Sequence, residues 1–167
     1  MQARAIALLR EAIQIDPNLW EARFDLGVVL ASAGDLAKAE EELKAAAKVA
    51  PGREEVAVAL AEVRRRRGES KEAASSLEDF VKDHPGALDA RTLLVTALRD
   101  AGQHDKAIVH AREVLVRKPG DPAALAELAL CHLGKGERDT AQLLVKQSLD
   151  VNAKSAIAHR VQGLVHL

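Results

Sequence analysis

The densest run of residues able to bind a ligand is a series of four arginines, Arg64 to Arg67. Guanidinium groups donate paired hydrogen bonds to carboxylates, so this run could hold an acidic side chain or the C-terminal carboxylate of a partner. Arg65 and Arg99 occupy the same position of an internal repeat, and the two are expected to lie side by side on neighbouring helices. The alternative is a solvated helix end, because cations near a helix C-terminus are favoured by the helix dipole. We favour the second interpretation.

Catalytic and metal-binding residues have little support in this sequence. A metal ion needs three or four converging ligands, whereas of the six histidines only His132 and His166 share a repeat position near one end of the chain. Cys131 is the single cysteine and is interpreted as a small buried residue. No glycine-rich phosphate loop, nucleophile elbow or paired-histidine helix motif occurs. We therefore predict that the protein is not an enzyme and binds no metal ion or cofactor.

The composition argues against several other classes of function. Net charge is −1 at pH 7 and aromatic residues make up 2% of the 167 residues, which disfavours RNA or DNA binding because that needs a basic surface and stacking side chains. The longest apolar runs are shorter than a membrane span. The segment from Met1 to Pro17 lacks the unbroken apolar stretch of a signal peptide. We expect a cytoplasmic protein with no membrane insertion.

An internal repeat with a period of 34 organises the chain. Four residue types recur at this step: Pro17, Pro51, Pro85 and Pro119; Gly34, Gly68, Gly102 and Gly136; Ala5, Ala39, Ala73, Ala107 and Ala141; Leu26, Leu60, Leu94 and Leu128. Such self-similarity is typical of solenoids built from one supersecondary unit. We divide the chain into a half repeat (1–19), four full repeats (20–53, 54–87, 88–121 and 122–155) and a second half repeat (156–167), all in one domain.

Each full repeat predicts a pair of helices. In the repeat 20–53, apolar residues recur at steps of three and four on both sides of Gly34. Gly34 suits the left-handed end of the first helix, and Pro51 stops the second. Asp35 can cap a second helix, as Asn18 or Asp121 can cap a first helix. The ten expected helices span 2–15, 20–33, 36–49, 54–67, 70–83, 88–101, 104–117, 122–135, 138–151 and 156–167.

These residues resemble the signature of the tetratricopeptide repeat family. The repeat 20–53 carries that signature at Leu26, Gly27, Ala39, Leu43, Ala46 and Pro51, and the other repeats carry it at the equivalent residues. The family's aromatic residue at the fourth repeat position is missing, since Arg23 and Arg91 stand there. The resemblance covers the whole chain and implies an all-α, right-handed superhelical solenoid of antiparallel helix hairpins.

The resemblance also implies where a partner binds. In this family the first helices of successive hairpins line a concave groove that holds a peptide. At the corresponding positions the candidate binding residues are Phe24, Val28, Val58, Glu62, Arg65, Leu93, Thr96, Arg99, Leu130 and Val161. Some members clamp the carboxylate tails of chaperones with Lys and Asn side chains. Because Asp25, Ala59, Leu93 and Glu127 occupy the relevant groove position, that specific function is not expected.

The resemblance therefore implies a scaffold that binds a peptide or helix of another protein. The alternative is a regulatory or substrate-recruiting segment of a larger enzyme, whose catalytic domain lies outside this chain. The two half repeats keep this alternative open.

The half repeats also predict self-association. The first matches a second helix, and the last matches a first helix. In register, Leu167 and Met1 are separated by three missing turn residues. The last helix of one molecule could thus dock head to tail on the first helix of another, through Leu9, Ile13 and Leu164.

Overall fold

A computed structural model describes residues 2–165, which form ten α-helices and no strand. The helices are α1 (Gln2–Ile15), α2 (Trp20–Ser32), α3 (Leu36–Val49), α4 (Glu54–Arg66), α5 (Ser70–Asp83), α6 (Leu88–Asp100), α7 (His104–Arg117), α8 (Pro122–Gly134), α9 (Arg138–Val151) and α10 (Ala156–Val165). This confirms the predicted all-α fold. Met1, His166 and Leu167 lie outside the described residues. Within residues 2–165, no helix is long and apolar enough to cross a membrane.

The turn inside each hairpin explains why four helices end one residue earlier than predicted. Gly68 has φ +83°, and its N–H donates to the Arg65 carbonyl at 3.0 Å. The N–H of Glu69 donates to the Arg64 carbonyl at 2.9 Å. These two bonds form a Schellman motif, in which the residue before glycine closes the helix as its C-cap. Arg67 holds that position, and the same pattern closes α2, α6 and α8.

The turns between hairpins use different caps from one repeat to the next. The Asp121 carboxylate accepts a hydrogen bond from the backbone N–H of Ala124 at 2.8 Å, as predicted. The prediction that Asn18 caps α2 is wrong. The Asp16 carboxylate accepts the Asn18 N–H at 2.9 Å, and this local Asx turn brings the chain to α2 through Leu19, which makes no side-chain cap.

The chain divides by packing into two compact units, Met1–Ala90 and Arg91–Leu167. The core of unit 1 includes Leu26, Leu43 and Val63. The core of unit 2 includes Val145 and Val161. The single-domain organisation expected from the repeat stays a prediction.

Small residues set the distance between the two helices of a hairpin. The repeat alanines Ala39, Ala73, Ala107 and Ala141 are all fully buried. A Cβ added to Gly27 in α2 would lie 2.6 Å from Leu43 Cγ in α3, which is closer than real contacts allow. The hairpin therefore closes only because one partner at this contact is very small.

Candidate binding surfaces on the first helices

Unit 1 contains an open pocket on the face of its first helices. The pocket has a volume of about 460 Å³, and its lining residues are Phe24, Glu54, Glu55, Val58, Ala59, Glu62 and Asp89. Phe24, Val58 and Ala59 give it an apolar floor, and four carboxylates surround that floor. We call it the acidic pocket.

The repeat register builds the acidic pocket. Phe24 in α2 and Val58 in α4 occupy the same repeat position, so their half-buried side chains stand in adjacent rows. Glu54 and Glu55 lie in the first turn of α4, and Asp89 lies in the first turn of α6. Acidic side chains are favoured there by the helix dipole.

Glu54 is a lining residue that the sequence analysis did not assign to the groove. It stands at the first position of its repeat, beside the positions assigned to the groove. Its Oε1 accepts the Ala90 backbone N–H at 2.9 Å, so the carboxylate is held at the start of α6. The position of Glu54 in the first turn of α4 could have indicated this role, because the repeat places the start of the next first helix, α6, beside it.

The arginine run serves mainly the internal packing of unit 1. Arg64 Nε donates to Glu40 Oε1 at 3.1 Å, and Arg67 Nη1 donates to Glu40 Oε2. Lys44 Nζ lies 2.7 Å from Glu40 Oε1. Burial alone would raise the pKa of Glu40, but the hydrogen bonds from Lys44 and Arg64 outweigh it and hold the pKa below its usual value.

Arg65, the groove residue of the run, forms a two-pronged pair within its own helix. Its Nε lies 2.9 Å from Glu62 Oε2, and its Nη2 lies 2.9 Å from Glu62 Oε1. The pair largely cancels both charges. Arg64, Arg65 and Arg67 of the run thus pair with carboxylates of unit 1.

Unit 2 presents an apolar strip beside Arg99, whose guanidinium pairs with the carboxylates of Glu127 and Asp100. Leu93, Thr96 and Leu130 are half-buried on the first helices α6 and α8. Arg99 Nη1 lies 3.2 Å from Glu127 Oε2, and Glu127 is buried. Because the Arg99 and Glu127 side chains are both partly removed from water, each is positioned by the other more than by solvent. We call this surface the apolar strip.

One of the predicted surface residues near the end of unit 2 is a core residue. Val161 was assigned to the groove but is fully buried. It packs in the core formed by α8, α9 and α10, because α10 turns this side toward both neighbours. Val165 is buried in the same core. Leu164 is exposed.

In unit 1 the first helix is incompletely covered. Leu9 and Ile13 are half-buried and pack against the unit 1 core. No residue of α1 is fully buried. Val28 on α2 is exposed, as expected for a surface residue.

The side chains that could act as nucleophiles or metal ligands in unit 2 are buried or paired. The Cys131 thiol is fully buried, and burial, followed by the nearby Glu127 charge, raises its pKa to about 12. It is therefore a protonated thiol at neutral pH. His132 Nδ1 lies 2.5 Å from Glu137 Oε2 across the turn after α8. Among residues 2–165 no group of three or more His, Cys, Asp and Glu side chains could hold a metal ion. The pair of His132 with His166 falls outside the described residues.

Comparisons with known proteins identify the repeat. A tetratricopeptide repeat family model matches residues 3–63 and 98–165, and a second model of the same description matches 58–122. No protein with curated annotation matches the sequence.

Solved structures share the fold. YrrB, described as a TPR protein with an unusual peptide-binding site, has TM-score 0.80 and 19% identity, over 97% of this chain and 84% of YrrB. MamA has TM-score 0.79 and 27% identity, over 90% of this chain and 88% of MamA. TTC0263, a thermophilic TPR protein of Thermus thermophilus, has TM-score 0.76 and 21% identity, over 99% of this chain and 91% of that protein. These similarities confirm the fold class predicted from the sequence.

Proposed function

The chain belongs to the tetratricopeptide repeat family, and on that premise we propose that it is an interaction scaffold which binds a peptide or helix of a partner protein on its first helices. An all-α fold shared with MamA and with YrrB, which is described as having a peptide-binding site, fits this function. The activity that we propose is the binding of this partner segment.

The acidic pocket is the observation that carries this proposal. Its floor of Phe24 and Val58 can take one apolar side chain, and its rim can take cations. Glu62 is already paired with Arg65, and Glu54 is held at the start of α6. Glu55 and Asp89 are exposed on the rim. The matching ligand is a short basic segment with a leucine-like anchor flanked by Lys or Arg.

The apolar strip of unit 2 is proposed as a second contact surface. Leu93 and Leu130 offer apolar area there, and the pair of Arg99 with Glu127 offers a polar point of orientation. A recruiting segment of a larger enzyme would use the same surfaces, so the binding test applies to that alternative as well.

Fluorescence anisotropy with short labelled peptides tests the proposal. A peptide with a leucine between lysines should bind, and its binding should weaken with added salt. The same peptide with glutamates in place of lysines should not bind. Val58→Lys should weaken the binding by about tenfold or more, which corresponds to about 1.4 kcal/mol.

The matched control is Val109→Lys, because Val109 is an exposed valine on the second helix α7. This variant should bind like the unaltered protein. Equal binding of the two peptides, or equal loss in both variants, would show that the acidic pocket is not the binding surface.

A further inference from the structure

The exposed apolar side chains of the chain differ in the charges beside them. Val116, near the end of α7, is 80% exposed, and Arg117 and Lys118 follow it directly. Ile15, at the end of α1, is equally exposed, but no basic residue stands next to it. Among the exposed large apolar residues that the structure describes, Val116 is the one that two basic residues follow.

Helix geometry places cations on both sides of Val116. Arg112 stands one turn before it and Arg117 one residue after it, so the two arginines leave α7 on opposite sides of the valine. Both are exposed, as is Lys118 at the C-cap of the helix. We call the surface formed by Arg112, Val116, Arg117 and Lys118 the α7 tip.

The positive charge of the α7 tip is not neutralised within the described part of the chain. Arg112, Arg117 and Lys118 form no ion pair there. Glu113 is the acidic residue nearest to Val116 in the sequence, but its carboxylate is paired with the buried Arg91 of α6. Burial, followed by the nearby Arg117 charge, lowers the pKa of Arg91. The positive potential of the tip therefore extends over this end of the hairpin.

The acidic pocket has the complementary composition. Its floor is apolar, with Phe24 and Val58, and its rim carries four carboxylates. Of these carboxylates, only Glu62 has a cationic partner among the described residues. Glu55 and Asp89 are exposed on the rim. The pocket thus offers an apolar contact inside a negative rim, and the tip offers an apolar contact between positive charges.

From this match we infer that the acidic pocket binds the α7 tip of a second copy of this chain, with Val116 on the apolar floor. Arg112 and Arg117 then face the carboxylates of the rim. The inference rests on the proposed function, since it names one ligand of the same pocket. The pocket belongs to unit 1 and the tip to unit 2, so the contact is heterologous. Each pair of molecules keeps one free tip and one free pocket, and the contact extends into strings or closed rings.

Sedimentation velocity over about a hundredfold range of concentration tests the inference, since association depends on protein concentration. The mass of the unaltered chain should rise above 17.9 kDa, and added salt should lower it. Val116→Glu should raise the dissociation constant by about tenfold or more. Ile15→Glu is the matched control, because it places the same charge on an equally exposed apolar residue outside the tip. It should associate like the unaltered chain.

Mixing two blocked variants identifies the two surfaces. Val116→Glu blocks the tip but leaves the pocket open, and Val58→Lys does the reverse. Each alone should stay monomeric where the unaltered chain associates, and the mixture should form pairs of twice the chain mass and nothing larger. Circular dichroism checks that Val58→Lys is folded; if it is not, Glu55→Lys on the exposed rim takes its place.

Peptide binding separates this inference from the proposed function. Val116→Glu should still bind the labelled peptide with a leucine between lysines, because its pocket is unchanged. An excess of that peptide should return the unaltered chain to the monomer. A chain that binds the peptide but is monomeric at every concentration would overturn the inference and leave the proposed function intact, as would normal association of Val116→Glu. Failure of the peptide to bind Val116→Glu would instead contradict the proposed function itself.

Discussion

Replacing Gly68 with valine puts a β-branched residue at φ +83°, in the left-handed region that closes α4. An ordinary L-residue there costs about 1–2 kcal/mol, and a β-branched residue costs more. Nothing lies within 4 Å of an added Cβ, so the cost is conformational and not steric crowding by neighbours. We expect Gly68→Val to lower the free energy of unfolding by about 2 kcal/mol, which lowers the melting temperature by roughly 4–8 °C for a chain of this size.

Gly52 provides the comparison, because it lies in a turn but not in the left-handed region. The nearest atom to its added Cβ is His84 Nε2 at 3.5 Å, an ordinary contact. Gly52→Val should therefore change stability by no more than about 0.5 kcal/mol. At position 68, Asn should be tolerated best, followed by Ala and then Val, because Asn adopts the left-handed conformation more easily. Thermal melts followed by circular dichroism measure all four variants. Equal shifts for the two valines, or no order among the variants of Gly68, would refute the conformational explanation.

Two further predictions concern the buried carboxylate and the apolar strip. Glu40→Gln should destabilise the chain by about 1–2 kcal/mol at pH 7, because Arg64, Arg67 and Lys44 lose their common anion. The pKa of Glu40 is lowered in the folded chain, so the stabilisation by its carboxylate is present above pH 4.5 and is lost as the pH falls through the folded pKa. In melts from pH 7 to pH 3, the melting temperatures of the two proteins should converge. A constant gap between them would contradict this. Replacing Leu93 and Leu130 together with glutamate should abolish capture of a protein partner while helicity is unchanged, and unchanged capture in a pull-down would place that contact elsewhere.

The helices could be predicted from the sequence to within one residue over most of the chain. Glycine and proline mark the ends of the helices by backbone geometry, which depends little on the rest of the fold. The error at Asn18 has a local cause. Asp16, two residues earlier, takes the Asn18 N–H, and two short polar side chains compete for the same turn. Propensity alone does not decide between them.

The candidate site was less predictable, because a repeat position indicates which way a side chain points but not whether a neighbouring helix covers it. Val161 has the register of a groove residue, yet it is buried where α10 meets α8 and α9. The pairing of Arg65 with Glu62 could be expected from their spacing of three on one helix. Arg64 and Glu40 lie on different helices, so their pairing depends on how the hairpins pack and does not follow from sequence spacing. Charge counts alone could not separate these two roles.

Variation among the repeats shows what the hairpin contact demands. Where the eighth residue is Val95, the facing residue is the small Ala111, and both are buried. Where the eighth residue is Ala129, the facing residue is Val145, and both are again buried. Large and small residues thus exchange sides while the combined volume changes little, as close packing requires. A glycine at the eighth position therefore calls for a large partner, as Leu43 is for Gly27.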